Sequence, residues 1–120
     1  MNSEYEKYWL FKEISAMSKE FRHSIKHTMP KENRCGIGDE TLQLMRDIKF
    51  TVYKGIHAGT ILDCDSKHKI IEMLYHLKIM IDECLEDGIL LMKGEYTIHQ
   101  PRKRLADILQ QLENPEVQQA

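Results

Sequence analysis

Apolar residues in this 120-residue chain recur every three or four positions along most of its length. Leu10, Ile14, Met17, Phe21 and Ile25 are spaced four, three, four and four apart. An α-helix turns once in 3.6 residues, so these side chains form one stripe. The spacing predicts a first helix from about Ser3 to Thr28. Ser3 is suited to cap it, and Glu4 and Glu6 suit a first turn that favours anions. A second helix is predicted from about Ile37 to Ala58, with Leu42 or Met45, Ile48, Val52 and Ile56 as its stripe. Leu44 and Phe50 fall off that stripe, which points to burial on more than one side. Gly55 and Gly59 are four apart on one face. A glycine inside a helix costs about 1 kcal/mol relative to alanine, so close packing of another helix is the expected return.

A third helix is predicted from about Ser66 to Met92, with Asp65 or Ser66 as its cap. Its stripe is Ile70, Leu74, Leu77, Ile81, Leu85 or Cys84, Gly88 and Leu91. Ile71, Met73 and Met80 add a second strip. Lys93-Gly94-Glu95 reads as its closing turn, with Gly94 just past the end. A shorter fourth helix runs from His99 or Gln100 to Glu113. Pro101 sits in its first turn, and Leu105, Ile108, Leu109 and Leu112 form its stripe. Asn114-Pro115 stops it, and residues 115–120 read as a flexible tail. Four helices joined by short turns predict one all-α domain over residues 1–114, an antiparallel up-down-up-down four-helix bundle. Alternation then brings the first and third turns to the same end.

The first turn is Met29-Pro-Lys-Glu-Asn-Arg-Cys-Gly-Ile-Gly-Asp-Glu40. Pro30 lacks a backbone N–H and biases Met29 away from helical dihedrals, so it ends the first helix. Gly36 is placed to cap the next, which puts Asp39 in its first turn.

Charge narrows the function classes. The formal net charge is −2, with 30% charged residues, so any polyanion contact has to come from a local patch. Lys19, Arg22 and Lys26 share one face near the end of the first helix, with His23 and His27 beside them. Their bland role is to offset the helix dipole; the other is a phosphate-contacting rim extended by Lys31 and Arg34. Arg102, Lys103 and Arg104 form a basic run at the start of the fourth helix, the wrong end for dipole stabilisation. Asp82, Glu83, Glu86 and Asp87 are an acidic patch near the end of the third helix. It is either a solvated face or is answered by a cation on a neighbouring element. Tyr5, Tyr8, Trp9 and Phe11 crowd the start of the chain, as core at the bundle end or as a subunit contact.

Catalytic and metal chemistry find little support. There is no GxSxG, P-loop, GxGxxG, HExxH or CxxC. His23 and His27 have a spacing that can hold one ion, but no third ligand follows at a matching offset. No cofactor and no enzymatic activity are expected. Cys35, Cys64 and Cys84 are odd in number and far apart, as expected of reduced thiols in the cytoplasm. The acidic N-terminus lacks the apolar core of a signal peptide, and no apolar run is long enough to span a bilayer.

The string Pro30-Lys31, then Arg34, then Gly36-Ile37-Gly38-Asp39-Glu40, resembles the signature turn of a family of small bacterial four-helix bundles. The family includes the accessory variability determinant proteins of diversity-generating retroelements. It also includes proteins encoded in intervening sequences of bacterial large-subunit ribosomal RNA genes. A second partial echo is Leu90 to Tyr96 followed by Leu105 to Leu112. Lys54-Gly-Ile-His-Ala-Gly59 keeps only the Ala-Gly end of a run usual in the intervening-sequence branch, which favours the accessory-determinant branch. The resemblance implies a homopentameric barrel without chemistry of its own. It implies a partner reverse transcriptase and template RNA or an RNA/DNA hybrid, in support of mutagenic reverse transcription. Lys31 and Arg34 carry over as basic-surface residues by position. Arg22, Lys26, Arg102, Lys103 and Arg104 rest on the charge reading. The alternative is an oligomeric scaffold for protein interactions without nucleic-acid binding, or an intervening-sequence-encoded bundle protein.

Overall fold

Four long helices fold around the stripes just described. The computed structural model describes residues 3–61, 63–90 and 98–114, with side chains from residue 7 onward. The helices are α1 (Ser3–Thr28), α2 (Asp39–Ala58), α3 (Cys64–Glu86) and α4 (His99–Glu113). Among the described residues there is no strand. α1 packs on α2 and α4, and α3 packs on the same two, so the four helices close a ring around one core. All five residues of the α1 stripe are buried. They meet Met45, Ile48 and Val52 of α2, Ile70, Leu74, Leu77, Ile81 and Cys84 of α3, and Leu105, Ile108 and Leu109 of α4. Met45 rather than Leu42, and Cys84 rather than Leu85, take the two positions the pattern left open.

The first turn departs from expectation. Helical structure resumes at Lys31, well before Ile37. A single α-helical turn, Lys31–Asn33, runs into a π-helical turn, Arg34–Gly38, and then into α2. Pro30 is the break: its backbone is extended (φ −55°, ψ 144°), and its carbonyl accepts the N–H groups of Asn33 and Arg34 at 3.0 and 3.1 Å. Proline cannot extend α1, yet its fixed φ suits the entry to the next helix. Gly36 therefore lies within the π turn and caps nothing. The glycine that packing demands is Gly38. A Cβ there would lie 2.9 Å from Met29 Sδ and 3.3 Å from the Asn33 carbonyl oxygen.

α3 also differs at both ends. It begins at Cys64, after an extended Asp63 (φ −65°, ψ 147°), two residues before the predicted start. It stops at Glu86 because Gly88 adopts a left-handed φ of 71°. Gly88 N–H then donates to Leu85 O at 3.1 Å and Ile89 N–H to Cys84 O at 3.0 Å, which satisfies carbonyls that the helix leaves unpaired. Gly88 is thus a stop signal and not part of the apolar stripe, and the predicted role of Gly94 lies outside the described residues.

α2 ends in the same way. Gly59 has φ 75°, and Thr60 N–H donates to Gly55 O at 2.9 Å. The expected helix against Gly55 is instead the connecting segment: a Cβ there would lie 3.0 Å from Ile61 Cδ1 and 3.3 Å from Ile61 Cα. Of the two residues off the α2 stripe, Leu44 is half-buried against the core as expected, but Phe50 is 64% exposed, so that side of α2 is not buried.

A left-handed backbone costs a residue bearing a Cβ roughly 1–2 kcal/mol. Gly59→Ala and Gly88→Ala should each lower unfolding free energy by about 1 kcal/mol in urea titration, although both positions have open space around them.

Candidate nucleic-acid interface

The cations singled out by sequence do not behave as one group. Arg22, Lys26 and Lys31 are exposed. Arg34 is half-buried, and its Nη1 donates to the Lys26 carbonyl at 3.2 Å, satisfying a carbonyl near the end of α1. Its Nε is buried without a partner among the described residues. Arg34 therefore helps build the turn. His23 and His27 stand edge to face with ring centres 6.2 Å apart. Among the described residues, no three His, Cys, Asp or Glu side chains gather as a metal site.

The basic run at the start of α4 splits three ways. Arg104 reaches α1, where its Nε donates to Glu20 Oε1 at 2.6 Å and its Nη1 to Glu13 Oε2. The hydrogen bond to Glu20 outweighs burial, and with the Glu13 bond it holds the guanidinium above its ordinary value. Arg102 reaches α3 and donates to Asp82 Oδ1 at 3.0 Å. Lys78 donates to the other oxygen of Asp82 at 3.1 Å. Burial alone would raise the Asp82 carboxyl, but the bonds from Lys78 and Arg102 together lower it below its ordinary value. The acidic patch is thus answered in part by a cation of the next helix. Lys103 points outward and is exposed. Of the three, Arg104 is committed to the fold, Arg102 is engaged with Asp82, and Lys103 is open to solvent.

The aromatic cluster is divided as well. Tyr8 and Phe11 line an apolar groove of about 290 Å³ with Lys7, Tyr53 and Ile56. The Phe11 and Tyr53 rings are 6.2 Å apart, and Tyr53 meets His57 edge-on at 5.2 Å. Trp9 lines a different, polar groove of about 330 Å³ beside Glu13, Lys103, Arg104 and Asp107. Tyr8 and Trp9 therefore do not share one surface, and the side chain of Tyr5 lies outside the described residues. Tyr53, Tyr75 and Ile79, outside the expected site residues, are 51, 41 and 56% exposed. A signal existed: Tyr53 and Ile79 fall outside every apolar stripe.

Helical geometry assembles the α1–α2 face. Lys19 and Lys26 follow Tyr8 by about three and five turns, and Arg22 follows Phe11 by about three, so all lie on the flank that faces α2. Glu13 and Glu20 lie on the opposite flank, against α4. On α2, Arg46 and Lys49 precede Tyr53 by about two turns and one. Between Tyr53 and the first turn this face carries Lys19, Arg22, Lys26, Arg46 and Lys49, with Asp39, two turns before Arg46, at its far end.

Cys35 and Cys64 are exposed thiols. Cys84 is buried, and that burial, with the charges of Asp87 and Glu83, pushes its thiol up. Among the described residues, no helix is long and apolar enough to cross a membrane. No protein-family model matches the chain, and no curated protein or solved structure matches it.

Arg104→Gln should cost about 1–2 kcal/mol of stability, since it strands two part-buried carboxylates. Lys103→Gln should change stability by less than about 0.5 kcal/mol. For Arg102→Gln the loss should depend on pH. Asp82 has a depressed folded value, so its contribution is present above the ordinary carboxylate value of about 4 and fades as pH falls through the folded one. Urea titrations from pH 7 down to 3 should show the gap between wild type and variant closing at the acid end.

Proposed function

We propose that the chain is a non-enzymatic accessory subunit of a diversity-generating retroelement. On this reading it works in the bacterial cytoplasm as a homo-oligomer, a pentamer as in the family it resembles. It binds a reverse transcriptase and its template RNA or RNA/DNA hybrid. The observation that carries the reading is the first turn. Three of the residues behind the resemblance have a physical task there. Pro30 stops α1 and opens the next helical segment. Arg34 reaches back to the Lys26 carbonyl. Gly38 occupies a place where a Cβ would crowd Met29. Three such constraints at matched spacing favour a shared way of reversing the chain.

The order of cross-helix bonds supports an antiparallel course for the bundle. Asp82 of α3 pairs with Arg102 of α4, and Tyr75 with Glu113. Positions that descend along α3 thus meet positions that ascend along α4. In an up-down bundle, the start of α4 lies at the same end as the first turn. Lys103 then joins Arg22, Lys26 and Lys31 as the cations left for phosphates. The bundle occupies residues 1–114 on this reading. The proposed tail, 115–120, lies outside the described residues.

The test is RNA binding by fluorescence anisotropy across a salt series. A contact made by about four cations should weaken roughly 50- to 150-fold between 50 and 200 mM salt. Combined reversal of Arg22, Lys26 and Lys31 to Glu should remove most of the affinity and flatten the salt dependence. If RNA binding is missing even at low salt, the scaffold without nucleic-acid binding takes its place.

A further inference from the structure

We propose that copies of this chain associate head to tail, the acidic outer face of α3 in one copy seated on the cationic, aromatic face of α1 and α2 in the next. The proposal rests on the oligomer part of the reading above and names its surfaces.

The exposed large apolar side chains among the described residues fall into two groups. Tyr8, Phe50 and Tyr53 are 67, 64 and 51% exposed and belong to α1 and α2. Tyr75 and Ile79 are 41 and 56% exposed and belong to α3. Single exposed apolar residues need no explanation, but clustered ones mark contact surfaces. Tyr8 and Tyr53 share the apolar groove with Phe11 and Ile56. Tyr75 and Ile79 are four apart and share the outer face of α3. The Tyr75 hydroxyl donates to Glu113 Oε1 at 2.7 Å, which fixes the ring against α4 and leaves one side open.

The charges around the two groups are opposite. Glu72, Tyr75, Ile79, Glu83 and Glu86 are spaced three, four, four and three apart, one exposed stripe along α3. None of those three glutamates forms an ion pair among the described residues. Across the molecule, Lys19, Arg46 and Lys49 flank the aromatic face, equally without ion pairs among the described residues. An apolar strip edged with anions faces an apolar groove edged with cations, the arrangement that sets register and orientation in a docked pair.

A second copy is the occupant that uses both surfaces. A polyanion around Tyr53 would satisfy Lys19, Arg46 and Lys49 but leave the acidic stripe and its two apolar residues without a role. Arg22, Lys26 and Lys31, in or near the first turn, stay available to phosphates. The two faces lie on different helices, so the contact is heterologous. Each copy offers one face and accepts on the other, and the chain of contacts closes into a ring if the rotation allows.

One experiment uses this polarity. Tyr53→Asp spoils the groove and leaves the α3 face intact; Ile79→Asp does the reverse. Both sites are exposed, and thermal melts by circular dichroism check that both variants fold. In sedimentation velocity the wild type should run as an oligomer that weakens several-fold as salt rises. Each variant alone should run as a 14.2 kDa monomer. Mixed, the two variants should form a complex of twice that mass and nothing larger, because each keeps one working face. If the wild-type oligomer is untouched by either change, or the mixture stays monomeric, the contact is overturned while the oligomer stands. A wild type that is monomeric at every concentration and salt overturns both.

Discussion

Pro30 has no N–H to give the first helix, and much of the structure follows from where that helix must stop. The break sits at the end of a stripe that buries five residues of α1, so the core is already committed when the chain reverses. Only a tight return lets α2 lay Met45, Ile48 and Val52 against that stripe. Arg34 and Gly38 serve the same end from the other side of the break. One answers a carbonyl that α1 leaves open; the other lets the backbone come close to Met29. The constraint is local, but it sets which faces of α1 and α2 meet.

The charges then divide along those faces. The α4 side of α1 carries Glu13 and Glu20, and they take Arg104 as their shared partner. The α2 side of α1 carries Lys19, Arg22 and Lys26. A chain that is nearly neutral overall is therefore strongly uneven in cross-section, with a cationic flank on α1 and α2 and an acidic outer stripe on α3. Net charge hides this, because a sum over residues discards the direction in which each one points.

The sequence reading recovered what depends on periodicity. All four stripes were visible, and α1 and α4 ran as expected, since repeated burial on one side of a helix leaves a plain period. It failed where a single backbone angle decides. Gly88 looked like one more small residue in the α3 stripe, and only its left-handed φ reveals a stop. The π turn was equally hidden, because nothing in Arg34–Gly38 distinguishes a loop from a widened helical turn. In the candidate site the cations could be found but not sorted. Arg102, Lys103 and Arg104 are neighbours in sequence, yet successive residues on a helix point about 100° apart. That rotation sends one to α3, one to solvent and one to α1.

The widened turn has a consequence for how the chain tolerates changes in length. In an ordinary loop, a lost residue shortens a connection and leaves the flanking helices facing as they did. Between Lys31 and Ala58 there is no ordinary loop: the N–H of Asp39 reaches back five residues to the Arg34 carbonyl, and the helical path is continuous. One residue more or fewer there acts as a twist, turning all of α2 by over a quarter of a circle about its own axis relative to α1. The region around Gly36, open to solvent and outwardly the most expendable part of the chain, therefore works as the angular setting of the second helix.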